Sequence, residues 1–212
     1  MIKEFCAENF TDIPLAVQAG AHRIELCDNL AEGGTTPSLG VVHEAAKYCL
    51  DQQVDLMVII RPRAGNFTYT DDEVSMMRYD IAAFQQLPIT GLVLGAVKDG
   101  WIDEPVMEKL LKAAGDLPIT FHMAFDAIST ELQHLAIDWL VHHGVQRILT
   151  HGGSKEQPIQ DHFPRLRDHI QYANDRIIIL VGGGVTYQNA QSIVDELDIL
   201  EVHGTKIVEL KK

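Results

Sequence analysis

The sequence predicts a single (β/α)8 TIM-type barrel with a short or missing final helix, and three observations carry that prediction. Eight short apolar runs alternate with amphipathic, helix-like stretches along the whole chain. Many junctions into the next run hold the glycine or proline that ends helices: Gly20, Pro88, Gly115 with Pro118, and Gly144. After the first run comes Ala7-Glu8-Asn9-Phe10, without the glycine fingerprint that a doubly wound nucleotide-binding sheet places there. Eight βα repeats in 212 residues is the count for a compact barrel near the small end of that fold's range.

Taken in order, the predicted strands are Ile2–Cys6, Arg23–Cys27, Asp55–Arg61, Gly91–Val97, Ile119–Phe125, Arg147–Thr150, Ile177–Val181 and Leu200–His203. The second shows the signal most clearly: Ile24 and Leu26 alternate with Arg23, Glu25 and Cys27, the period of a strand with two unlike faces. The predicted helices are Ile13–Ala19, Leu39–Leu50, Asp72–Leu87, Pro105–Ala114, Glu131–His143, His162–Ala173 and Asn189–Glu196. Thr36-Pro37 reads as an N-cap followed by proline in the first helical position. Only Gly204–Lys212 follows the last strand, too short for a full closing helix. The outer side of strands seven, eight and one is therefore expected to be partly uncovered, with a homo-oligomeric partner as its shield.

Composition narrows the function classes. With 46% hydrophobic residues and no low-complexity break, one domain over 1–212 is expected. A net charge of −13 argues against nucleic acid and against an anionic membrane surface. Cys6, Cys27 and Cys49 form no CxxC pair and suit a reducing compartment, and no apolar run is long enough to span a membrane, so a cytoplasmic protein is expected.

The site is read from alternation. Residues two apart on a strand share a face, roughly 6.6 Å apart. Glu4 and Cys6 share one; so do Arg23, Glu25 and Cys27; so do Thr120, His122, Ala124 and Asp126; so do Glu201 and His203. If the greasy faces pack under the helices, these polar faces converge inside the ring. Three interior glutamates need partners, since an isolated buried carboxylate takes up a proton instead. Arg23 and Arg61 are expected to offset two; the third needs a protonated His122 or His203, its own proton, or a metal. Cys6, Cys27, Arg61, His122, Asp126 and His203 all fall toward strand C-termini, where barrel active sites lie.

These residues carry a resemblance. Arg23-Ile24-Glu25-Leu26-Cys27, Glu32-Gly33-Gly34 with Thr36-Pro37-Ser38, Ile59-Ile60-Arg61-Pro62-Arg63, Thr120-Phe121-His122 with Ala124-Phe125-Asp126, Gly182–Val185 and Glu201-Val202-His203 occur in one order over nearly the full length. In this the chain resembles the CutC family, named for copper homeostasis. The resemblance implies a TIM-type barrel, a cytoplasmic location, and copper handling through Cys6 and Cys27. Met123 departs from the basic residue often found at its position, and His151-Gly152-Gly153 departs from a more usual serine-type turn.

Two functional readings follow. Neighbouring strands lie about 4.8 Å apart, so Cys6 and Cys27 in register would bring two soft thiolates to one Cu(I), with His122 or His203 supplying a nitrogen. Alternatively, Gly182-Gly183-Gly184, with Thr186 capping the next helix, forms an amide cradle for an anion, which His151-Gly152-Gly153 next door would widen. A lyase or isomerase for a small anionic or phosphorylated metabolite would then use Glu25 or His122 as acid or base. Arg61 and Arg63 would hold the anion, Asp126 would orient His122 or ligate a metal, and His203 would complete the catalytic set.

Overall fold

The computed structural model describes residues 1–211. Eight parallel strands close into a barrel: β1 (Ile2–Glu8), β2 (Arg23–Cys27), β3 (Asp55–Ile59), β4 (Gly91–Leu94), β5 (Ile119–Phe121), β6 (Arg147–Thr150), β7 (Ile178–Val181) and β8 (Glu201–Gly204). Each pairs with its neighbours in sequence, and β1 with β8 closes the ring. A small antiparallel hairpin, Val97–Lys98 with Trp101–Ile102, sits above β4. Around the ring lie α1 (Ile13–Gln18), α2 (Leu39–Gln52), α3 (Asp71–Phe84), α4 (Glu104–Ala114), α5 (Gln133–His142), α6 (Phe163–Ala173) and α7 (Ala190–Leu197).

Local chemistry sets the helix starts. At α3 a capping box joins the Thr70 hydroxyl to the Glu73 N–H and the Glu73 carboxylate to the Thr70 N–H. At α2 the cap is Ser38, whose hydroxyl accepts from Val41 N–H; Thr36 instead accepts from Arg61 N–H at 2.8 Å and ties the second βα loop to the end of β3. Thr36 is thus a loop clamp, not the expected cap. Thr186 is likewise not the cap of α7, because that role falls to Asn189, whose side-chain oxygen accepts from Thr186 N–H.

Outward residues of the strands, such as Ile24, Leu26, Leu56, Val58, Phe121 and Val202, pack under the helices in one large apolar core. The interior holds a second, smaller cluster of Cys6, Cys27, Met57, Ile59 and Val93. No helix follows β8 among the described residues, as expected, but the side there is not bare. Ile207 and Val208 are buried in the outer core, and Phe5 and Val202 are covered. The last stretch takes the place of the missing helix.

Three strands end earlier than expected. Pairing of β3 stops at Ile59, leaving Arg61 on the rim. β4 ends at Leu94, and its expected continuation enters the hairpin. β5 ends at Phe121, after which Met123–Ala127 coil into a 3₁₀ turn capped by His122. The alternating pattern persists in the sequence there, while the backbone has left the ladder.

Candidate functional site

Register places the interior polar groups in layers. Between β1 and β2, Glu4 is level with Arg23, Cys6 with Glu25, and Glu8 with Cys27; between β1 and β8, Glu4 is level with His203. Cys6 and Cys27 are therefore not level, as the sequence suggested, but staggered by one inward position. Diagonal neighbours remain within side-chain reach, and their sulfurs lie 3.9 Å apart.

The bottom layer is an ion-pair network. Arg23, fully buried, donates from Nε to the Glu4 carboxylate and from Nη2 to Glu201 Oε2 at 2.6 Å. Arg147 Nε also reaches Glu201 Oε2, at 2.9 Å. His203 bridges two acids, its Nδ1 2.8 Å from Glu4 Oε1 and its Nε2 3.3 Å from Glu25 Oε2. The expectation that Arg61 neutralises a glutamate is corrected: its place is taken by Arg147. Arg61 lies beyond the end of β3 and spends its Nη donors on loop carbonyls, Gly34 O at 2.7 Å, Gly65 O at 2.9 Å and Glu32 O at 3.0 Å.

Charge balance then decides the protonation of the floor. Glu4 and Glu201 face Arg23, Arg147 and His203. Burial opposes charge on both Glu4 and His203. The hydrogen bond from His203 and the charge of Arg23 nonetheless bring the Glu4 carboxyl down to about 2, and the acidic groups that surround it, Glu25, Cys6 and Glu4, together hold His203 well above the ordinary imidazole range. One positive charge is left over for Cys6, Glu25 and Cys27, so one of these three acids ionises and two keep protons. The hydrogen bond with Cys27 draws the Cys6 thiol down. Burial pushes Glu25 up, and the bond to Cys6 pushes Cys27 up. A Cys6 thiolate against a protonated Cys27 and Glu25 is the resulting state.

Cys6, Glu25, Cys27 and His203 floor a cavity of about 570 Å³ that opens at the C-terminal end of the barrel. Among the described residues, two sets have metal-ligand spacing, Cys6 with Glu25 and Cys27, and Glu4 with Glu25 and His203. His122 is on the cavity wall, its ring against Phe67 with centroids 4.9 Å apart. Gly95 makes room for it, since a Cβ there would lie 2.8 Å from two atoms of the ring.

Several expected site residues are placed elsewhere. Asp126 does not orient His122. Its carboxylate accepts from Thr150 Oγ1 at 2.5 Å and from the His151 and Gly152 N–H groups, holding the loop after β6. His122 instead accepts at Nδ1 from Ala124 N–H. Arg63 does not reach the cavity, because Glu73 Oε1 at 2.5 Å and Thr68 O at 2.8 Å hold it beside α3. Of the glycine cradle, Gly183 and Gly184 line the cavity at positive φ, whereas the Gly182 N–H is spent on Thr150 O at 3.0 Å. His151 does not widen the cradle; its Nδ1 sits against the carbonyls of Gly182 and Gly183, and its Nε2 against that of Gln157. Residues that pattern reading missed are Phe67, Lys155 and Lys206, all on loops at the mouth. A lysine directly after Gly152-Gly153-Ser154 was the available signal for the second of these.

Comparison with known proteins gives the family and the same fold. A model of the CutC family matches residues 1–208. A CutC family protein of Enterococcus faecalis is 55% identical over 209 residues, covering 98% of this chain and 100% of the relative. A human protein named copper homeostasis protein cutC homolog is 36% identical over 203 residues, covering 95% of this chain and 72% of its own. The crystal structure of a Streptococcus agalactiae CutC, named for copper homeostasis, is 46% identical with a TM-score of 0.95, covering 98% of this chain and 100% of that one. A Rubisco-like protein from Rhodopseudomonas palustris, 12% identical with a TM-score of 0.66 over 95% of this chain and 58% of its own, shares the fold alone. No helix in the described residues is long and apolar enough to cross a membrane. From the shared motifs, the closed barrel and whole-chain matches at this identity, the chain belongs to the CutC family.

Proposed function

We propose that this chain takes part in copper homeostasis by holding one Cu(I) ion, as cargo, between Cys6 and Cys27. The observation that carries the reading is the 3.9 Å separation of the two sulfurs at the floor of an open cavity. With metal–sulfur bonds of about 2.3 Å, that separation gives an angle of about 116° at a shared ion. Glu25 lies within ligand reach on the third side. Two soft thiolates select Cu(I) over hard divalent ions. Charge supports the same choice. One thiol is already ionised, so a monovalent cation needs to displace only the Cys27 proton, and the buried net charge is unchanged. Free thiols of this kind persist in a reducing cytosol, where we place the protein.

Competition against a chromophoric Cu(I) chelator tests the reading. Cys6→Ser and Cys27→Ser should each weaken Cu(I) binding about a hundredfold or more, and uptake in weak buffer should release about one proton per ion. An affinity unchanged in both variants refutes it.

The cavity volume favours a second reading, because about 570 Å³ suits a small organic molecule rather than a bare ion. In it the barrel is a lyase or isomerase for a small anionic metabolite, with Glu25, kept protonated by burial, as the acid that becomes a base on giving up its proton. Deuterium exchange into the α-carbons of small keto and hydroxy acids tests this; no exchange above the solvent rate counts against it.

A further inference from the structure

Two residues that line the cavity wall, Arg61 just after β3 and His122 just after β5, each carry a hydrogen-bond donor with no protein partner. His122 accepts from Ala124 N–H at Nδ1, 3.2 Å away, so the neutral ring carries its proton on Nε2. That Nε2 is buried and unpaired. Burial, together with the nearby charges of Arg61 and Lys155, pushes the imidazole down to about 3, so it stays a neutral donor at physiological pH. Arg61 repeats the pattern: both Nη atoms are committed to loop carbonyls, while Nε is buried without a partner. Both side chains pack on Phe67, the guanidinium carbon 5.2 Å from its centroid and the imidazole centroid 4.9 Å away. An unpaired buried donor costs about 1–3 kcal/mol, and these two, both sealed from solvent, belong to residues that line the open cavity and share one aromatic ring, so a ligand completes the site by displacing the side chains that cover them.

We propose that this wall binds the carboxylate of a small organic acid, its oxygens accepting from His122 Nε2–H and Arg61 Nε–H, with Lys155 supplying positive charge at the rim. Two donors and one buried guanidinium match the two oxygens of a planar carboxylate. A phosphoryl group needs more donors than this, and the amide cradle that would supply them is partly spent, at Gly182 on Thr150 O and at Thr186 on Asn189 Oδ1. The inference deepens the second reading above by naming the ligand class, and it is tested by binding alone, so it stands or falls separately from turnover and from copper.

The probe is malonate, titrated into the full chain labelled with ¹⁵N at histidine, with inorganic phosphate as the competing arm. The expected result is saturable movement of the His122 Nε2 resonance. Malonate affinity should fall about tenfold or more in His122→Phe and by a smaller factor in Lys155→Ala, the size expected for a lost hydrogen bond to a charged group. Phosphate should bind about tenfold more weakly than malonate. Lys155 is an exposed loop residue, so Lys155→Ala tests the site even if His122→Phe fails to fold. An unmoved His122 resonance, equal malonate affinity in both variants, or phosphate binding as tightly as malonate overturns the proposal.

Discussion

Replacing Arg23 by methionine would remove the cation at the centre of the barrel floor while keeping most of its volume. Arg23 is 1% exposed and pairs with both Glu4 and Glu201. Glu201 retains Arg147 after the change, and Glu4 retains His203, so neither acid is left wholly alone. The floor would nonetheless hold one uncompensated negative charge in a site closed to water. Breaking a buried pair in this way costs about 3–5 kcal/mol, equivalent to a fall of roughly 6–20 °C in melting temperature for a chain of this size. Urea unfolding of Arg23→Met, Glu4→Gln and the double variant forms a cycle that isolates the charge effect. Removing Glu4 along with Arg23 restores the balance, so the double variant should be about 2 kcal/mol or more better than the sum of the singles. A loss under about 1 kcal/mol in Arg23→Met, or additivity within about 0.5 kcal/mol, would refute the balanced-network account.

Further measurements test other parts of the site. Acidification should destabilise the fold in two stages. His122 and His169, buried neutral at about 3 and about 4, bind protons only in the unfolded chain as pH drops below about 6.5, costing about 1.4 kcal/mol per pH unit per group. Below about 4.5 the Glu4 contribution is lost as well, down to about 2. His203, raised in the folded state, contributes stability that is present below about 6.5 and lost as pH climbs through its folded value, so chemical unfolding from pH 3 to 10 should give a dome, and a flat acid limb would contradict the histidine assignment. Iodoacetamide at neutral pH should alkylate the Cys6–Cys27 pair well before Cys49, which is fully buried and pushed up to about 12; peptide mapping that finds Cys49 first would refute the thiolate at Cys6. Gly95→Ala puts a methyl 2.8 Å from the His122 ring and should cost about 1–3 kcal/mol in urea unfolding while displacing that ring. Wild-type stability in that variant would show that the ring does not depend on the space above Gly95.

Much of the site was legible because barrel interiors obey a period of two. Glu4, Arg23, Glu25, Glu201 and His203 were all read as inward-facing, and all are buried inside the ring. Pattern reading failed where the backbone leaves the ladder. Asp126 looked in phase with Thr120 and His122, yet a 3₁₀ turn intervenes and sends its carboxylate to the loop after β6. Arg61 and Arg63 looked like a pair of anion holders. Loop carbonyls and Glu73 claim most of their donors, and nothing local to Ile59-Ile60-Arg61-Pro62-Arg63 says so. Phe67, Lys155 and Lys206 went unread because loops have no period to read.

By itself, then, the order of residues determined the closed barrel and the identity of the polar groups inside it, since both follow from repetition along neighbouring positions. Tertiary structure alone decided the pairings: Glu4 with a histidine 199 positions away, Glu201 with Arg147 in place of Arg61, and two sulfurs meeting across a stagger. Partners are set by ring closure, register and the path of loops, and these depend on the whole chain at once.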